Sequence, residues 1–189
     1  MKLFCSAIML FFTSYILAQN NDVVDYSDYT RTVYWFDIGI RFTKEKSTGL
    51  ETMELVYFGK RIKYGNVEQF DKHLWHNLSI GKGIAIGPFN TYKEAVLANK
   101  LYNLKNLKKD TTVNLKDGKT YYWYLVKIRR YKRLHSLDFQ RMAARIASGD
   151  LERFITNIKV ALPNFELAIG PFTSQPEAEE SKRLYRLEE

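Results

Sequence analysis

The sequence predicts an α+β protein in which one β-α-β-α unit is written twice, with added β-hairpins. Three observations predict it. The phrase AIGPFNTYKEA at 85–95 returns as AIGPFTSQPEA at 168–178, with seven of eleven letters matched, no gap, and an offset of 83 residues. Each phrase is preceded at a distance by an aromatic run, TVYWFDIGIRF at 32–42 and TYYWYLVKIRR at 120–130. Between run and phrase, each copy holds a segment with apolar residues at helical spacing.

The start, MKLFCSAIMLFFTSYILA, reads as a secretory signal peptide. Lys2 forms a short basic region, Leu3 to Leu17 is apolar apart from Ser6, Thr13 and Ser14, and Ala18 sits at the cleavage position. The apolar run is shorter than the roughly 20 residues of a membrane span, so cleavage is expected rather than anchoring. No later segment is apolar enough to span. Cys5 lies within the leader, so the mature chain is expected to carry no disulfide, no thiol chemistry and no cysteine-built zinc site. The expected organisation is a signal peptide at 1–18, a polar segment at 19–30, one unit at 31–110 and a second at 111–189.

The remaining elements follow in order. The run at 32–42 is a strand, and LETMELVYF followed by KRIKY is an added hairpin arm. NVEQFDKHLWHNL at 66–78 has helical spacing. Ile84 and Ile86 alternate before Gly87, as Phe165, Leu167 and Ile169 do before Gly170, which is the period of a strand with one buried face. Gly-Pro is expected to stop each strand. Thr91 with Glu94 and Ser174 with Glu177 then form capping boxes at two helix starts. These helices put Ala95, Ala98, Leu101 and Tyr102, and in the second copy Ala178, Ser181, Leu184 and Tyr185, on one side. NLKDGKTYY reads as a hairpin turning at Asp-Gly, followed by the strand at 120–130. A helix is expected over 136–158, with Gly149 as a break point.

A strand ending Gly-Pro-Phe, a capped helix with alanine eight residues past the glycine, and FDIGIRF upstream resemble the SPOR domain family. The resemblance covers most of 31–189 as two degenerate copies. It implies antiparallel sheets with helices on one face, and binding of peptidoglycan, favouring denuded glycan, on the open sheet face. It also places the chain in the bacterial cell envelope or periplasm. The chain departs from the family pattern at Asp37, where glutamine is usual, in YLVKIRR, which lacks the strand glycine, and in ending at Glu189 where a last strand is expected.

Strand alternation selects the candidate glycan-binding residues. Tyr34, Phe36, Ile38, Ile40 and Phe42 form one face of the first strand, and Tyr122, Tyr124, Val126 and Ile128 one face of the second. The other faces carry Trp35, Asp37 and Arg41, and Tyr121, Trp123, Lys127 and Arg129. Left uncovered, they would sit beside a smooth floor of Ala85, Gly87, Glu166, Ala168 and Gly170. Aromatic rings stack on pyranose faces, while Asp, Lys and Arg bind hydroxyls and carboxylates. The alternative places both tryptophans in the core, under the hairpin arm or between units packed sheet to sheet.

Other chemistry is not expected. His73 and His76, with Asp71, share a helix in DKHLWH, but no third ligand accompanies them, so a solvated helix face is expected rather than a metal site. No nucleophile elbow, HExxH, P-loop or dinucleotide fingerprint occurs. Asp37 and Glu166 would form a carboxylate pair only on neighbouring strands. No enzyme activity, cofactor or metal is therefore expected. With 29 basic against 21 acidic residues, an exported chain should meet anionic wall polymer, lipid headgroups or acidic proteins. Nucleic acid is not an expected partner, because the basic residues are scattered apart from KIRRYKR at 127–133. Two roles remain open: binding peptidoglycan glycan without catalysis, or scaffolding an envelope or outer-membrane complex through SPOR-like units that have lost glycan affinity.

Overall fold

The computed structural model describes residues 29–44, 51–56, 61–79, 83–104, 107, 112–130, 137–140 and 145–185. The expected leader, most of the polar segment and the end of KIRRYKR lie outside the described residues. The fold is α+β, with two antiparallel sheets and four α-helices among the described residues. In the first half, β1 (Thr32–Lys44) is the central strand. It pairs with β2 (Glu51–Val56) along its end, with β3 (Lys63–Asn66) along its start, and with β4 (Gly83–Phe89) along its middle. Helix α1 (Val67–Ser79) follows β3, and α2 (Tyr92–Tyr102) follows β4. The second half repeats the plan with β5 (Tyr121–Arg130), β6 (Leu137–Gln140), β7 (Ala147–Gly149), α3 (Leu151–Ala161), β8 (Glu166–Phe172) and α4 (Gln175–Leu184).

Several expectations need correction. Residues 51–56 and 63–66 do not make a hairpin arm with each other; both run antiparallel to β1. The segment expected as a helix at 136–158 begins instead with strands β6 and β7, and the helix starts only at Leu151. Its start is set by Asp150, whose side chain accepts from the Arg153 amide at 2.8 Å. Asp117-Gly118 does turn, with Gly118 at φ 74°, but the residues directly before it, 112–116, form no strand. Phe165 lies in the turn before β8 and is 44% exposed, so its alternation with Leu167 was not a strand signal.

Gly-Pro does not end the strands either. Between Tyr34 and Phe36 the register of β1 advances two residues, while β4 advances three, from Phe89 to Ile86. The extra residue is a bulge at Gly87-Pro88, where the missing proline N–H costs no ladder bond. Gly170-Pro171 makes the same bulge against Tyr122 and Tyr124. Both peptide bonds are cis. Glycine is required at each bulge. Gly87 has φ 153°, and a Cβ there would lie 2.9 Å from the Tyr34 carbonyl oxygen; Gly170 has φ 147° with the same clearance to Tyr122. The repeated phrase is therefore strand, bulge and capped helix, and both capping boxes are formed.

Helices cover both faces of each sheet, not one face. On β1, Trp35 meets Phe70 of α1, while the next residue, Phe36, meets Tyr102 of α2. Successive strand residues point to opposite faces, so α1 and α2 lie on opposite sides. Trp123 meets Phe154 of α3, and Tyr124 meets Tyr185 at the end of α4, in the same way. Ala85 and Ala168, expected as a smooth open floor, are fully buried beneath α1 and α3. Their small side chains let these helices approach the sheet.

Buried packing runs across both units. One cluster extends from Phe36, Phe70, Ile86 and Phe89 to Tyr124, Leu167, Ile169 and Phe172, and a second joins Leu101 of α2 to Trp123, Phe154 and Ala168. The second helix of each unit packs its far end against the other unit. Tyr102 of α2 touches Phe154 of α3, and Tyr185, which caps the end of α4, touches Phe70 of α1.

Candidate functional site

The residues expected to form an open aromatic face are the first to place. Trp35 is 5% exposed and Trp123 is 0% exposed. Phe70 packs edge-on against Trp35 and Phe154 lies tilted against Trp123, each with ring centroids 5.5 Å apart, and neither indole N–H has a hydrogen-bond partner among the described residues. Tyr121 is also buried, its hydroxyl donating to Asp117 Oδ2 at 2.6 Å. Burial, followed by this hydrogen bond and the Asp117 charge, pushes the Tyr121 phenol well above its ordinary value. The sequence alternation identified the correct face but not its cover. That face is the seat of α1 and α3, so Trp35, Tyr121 and Trp123 cannot stack on a sugar from solvent. Arg41 is exposed, opposite Glu54 in the strand register, and Lys127 is partly buried, opposite Glu166 and Gln140. Arg129 lies on β5 opposite Asp138. The seven residues do not form one platform. Asp37 and Glu166 belong to different sheets and make no carboxylate pair.

Asp37 does anchor a polar cluster. Its Oδ2 accepts from Lys63 Nζ at 2.5 Å, and its Oδ1 contacts His73 Nε2 at 2.8 Å and Asn77 Nδ2 at 3.3 Å. Burial pushes the Asp37 carboxyl up, but the hydrogen bonds and charges of His73 and Lys63 outweigh it and hold the group below its ordinary value of 3.8. Trp35 roofs the cluster, 5.7 Å from the His73 ring. The second unit has Leu125, Ala147, Asn157 and Ala161 at the corresponding positions, so the cluster is peculiar to the first. His73 therefore serves a carboxylate, and His76 is not drawn in with it. Among the described residues no group of three His, Cys, Asp or Glu could hold a metal ion.

The exposed aromatic surface lies on the opposite face. Tyr34 and Tyr64 are directly opposed across β1 and β3. Tyr92, the first residue of α2, meets the Tyr34 ring edge-on at 6.0 Å. Tyr64 is 76% exposed and Tyr92 is 57% exposed. Arg61 is exposed just ahead of β3. Sequence reading missed this surface because it assigned the Tyr34 face wholly to the core. The overlooked signal was tyrosine at both 64 and 92, whose amphipathic rings tolerate water at one end.

The equivalent place in the second unit is a cleft of about 540 Å³ lined by Tyr122, Arg145, Ile146, Ser148, Gln175, Glu179 and Lys182. Tyr122, Arg145 and Ile146 repeat Tyr34, Arg61 and Ile62. Ser148 stands where the first unit has Tyr64, and Gln175 where it has Tyr92. Replacing two rings by short polar groups opens the cleft.

No helix among the described residues is long and apolar enough to cross a membrane. Comparison of the chain with family models, with curated proteins and with solved structures gives no match.

Proposed function

We propose that the protein is an exported, non-catalytic module that binds peptidoglycan glycan strands in the bacterial periplasm, using the tyrosine surface of its first unit. The observation that carries this reading is the convergence of Tyr34, Tyr64 and Tyr92 on one water-exposed face. Rigid, amphipathic rings of this kind stack on the apolar faces of pyranoses while their hydroxyls stay hydrated. Arg61 and the chain's net charge of +8 favour a carboxylated polymer. The reading also rests on the resemblance of both Gly-Pro-Phe phrases to SPOR domains and on the signal-like start. It moves the binding residues from Trp35 and Trp123 to the tyrosines.

Sacculus co-sedimentation tests it, with stem peptides left on or removed by amidase. Binding should rise on denuded glycan and fall about tenfold or more in Tyr64→Ala and Tyr92→Ala chains that keep their circular dichroism, a loss of ~1.4 kcal/mol or more. Equal sedimentation of the parent and both variants would reject it. A scaffold in an envelope complex is the second reading. It is favoured by β3, whose outer edge carries no strand among the described residues and could accept one from a partner.

A further inference from the structure

The two units keep one pair of residues and change its surroundings. RIKYGN at 61–66 returns as RIASGD at 145–150, so Tyr34 with Arg61 reappears as Tyr122 with Arg145. The rings at 64 and 92 do not reappear. Ser148 and Gln175 take their places, and the cleft over the half-buried Tyr122 opens to about 540 Å³, a volume that admits a small ligand. Its floor is an aromatic ring, and its walls, Ile146 aside, are polar.

The wall groups have defined bonding capacities. Gln175 Nε2 donates to Glu179 Oε1 at 2.8 Å. That bond orients the Glu179 carboxylate and leaves its other oxygen, with the Gln175 carbonyl, to accept from hydroxyl and N–H groups. Arg145 is exposed and makes no ion pair among the described residues. Its guanidinium fork is therefore open to a carboxylate, the group it holds best. Lys182 also lines the cleft but already has an interaction partner, so the carboxylate is assigned to Arg145 alone.

We infer that the Tyr122 cleft is a second glycan subsite, specific for a pyranose that carries a carboxylate. The sugar ring stacks on Tyr122, Arg145 takes the carboxylate, and Ser148, Gln175 and Glu179 take hydroxyl and acetamido groups. The inference rests on the reading of the protein as a glycan binder, under which the sugar is a muramyl residue with its lactyl carboxylate free. Amidase hydrolyses the amide between the lactyl group and the stem peptide, adding water and leaving that carboxylate. A peptide-substituted muramyl residue offers an uncharged amide instead. Arg145 thus supplies a physical cause for tighter binding of denuded glycan.

The test is calorimetric titration of a Tyr64→Ala/Tyr92→Ala chain, which lacks the rings of the first unit's surface. The ligands are a denuded glycan tetrasaccharide and the same tetrasaccharide with its lactyl carboxylates capped as methylamides. The acid should bind about tenfold or more tighter than the methylamide. Adding Arg145→Gln should bring the acid down to the level of the methylamide and leave the methylamide unchanged, whereas a merely structural change would weaken both. Ser148→Tyr, which restores the first unit's ring at an exposed position, should close the cleft to both. A hyaluronan tetrasaccharide, whose carboxylates sit directly on the sugar ring, should bind weaker than the muramyl acid; equal or tighter binding overturns the muramyl assignment. Equal binding of acid and methylamide, no binding of either, or unchanged discrimination in a folded Arg145→Gln chain overturns the inference. Sedimentation of the tyrosine variants with denuded sacculi tests the first unit separately. Unchanged sedimentation with carboxylate discrimination intact rejects the tyrosine surface and leaves the cleft, and the reverse pair of results rejects the cleft and leaves the surface.

Discussion

Phe89 packs against Phe172, its own counterpart in the repeat, with 5.5 Å between ring centroids. A residue that meets its equivalent marks an approximate two-fold axis between the units, the arrangement of an isologous interface. Contacts around it are reciprocal. Asn90 donates to Glu177, and Thr173, the counterpart of Asn90, donates to Glu94, the counterpart of Glu177, at 3.2 Å. The capping glutamates therefore bridge the units as well as capping their own helices. Arg31 adds a further tie, holding both Glu180 oxygens at 2.5–2.6 Å.

Shared packing of this kind makes the tandem pair the folding unit. Phe172→Ala should destabilise the chain by about 3–5 kcal/mol, the usual cost of deleting a buried phenylalanine. Unfolding followed by tryptophan fluorescence and by far-ultraviolet dichroism should stay coincident in parent and variant. Separate transitions for the two halves would contradict a common core.

The second unit carries a buried polar relay that the first lacks. The Ser181 hydroxyl donates to the Gly87 carbonyl at 2.5 Å, and Tyr124 meets the Ser181 hydroxyl at 2.9 Å. Their counterparts are Phe36 and Ala98. Ser181→Ala alone strands the buried Tyr124 hydroxyl and should cost about 1–3 kcal/mol. Adding Tyr124→Phe recreates the apolar pair of the first unit, so the double variant should lose less than the sum of the singles. Denaturant unfolding of the four chains measures the difference, and strict additivity would argue against the relay.

Much of this fold was legible because local signals agree with it. The capping boxes at Thr91 and Ser174, the alternation of Ile84 with Ile86, and the helical stripe ending at Tyr102 depend on neighbours close in sequence. What failed depended on partners far away. Trp35 looked outward because β1 is apolar on both faces, and only the position of α1 decides which face meets water. The segment at 136–149 looked helical because nothing local reveals that β5 has two edges to fill. Gly87-Pro88 looked like a stop because a bulge needs its partner strand, Tyr34 to Phe36, to be visible. The tyrosine surface was hidden by the same ambiguity of face.

Quenching distinguishes buried from exposed tryptophan directly. The chain has three tryptophans. Trp35 and Trp123 are sealed, whereas Trp75 is only partly buried on α1. A Trp75→Phe chain should therefore emit at short wavelength and resist quenching by iodide. Strong quenching in that chain would return Trp35 or Trp123 to the surface and revive them as sugar platforms.

Asp37 gives the chain a defined acid sensitivity. Its carboxyl titrates below the ordinary 3.8 in the folded chain, so the unfolded chain takes up the proton first as pH falls. The stabilisation is then fully present above 3.8 and is lost as pH drops through the lower, folded value. Asp37→Asn keeps the shape and removes the charge. At neutral pH it should cost about 1–3 kcal/mol, the range for a partly buried, hydrogen-bonded charge. The contribution from Lys63 is the weaker part, because that side chain is 41% exposed and solvent screens it. Urea unfolding of parent and variant from neutral pH into the acid range should show a constant gap that closes only below about 3.8. A gap that already closes near neutral pH would assign the pH dependence to a different group and remove Asp37 as the anchor of the cluster.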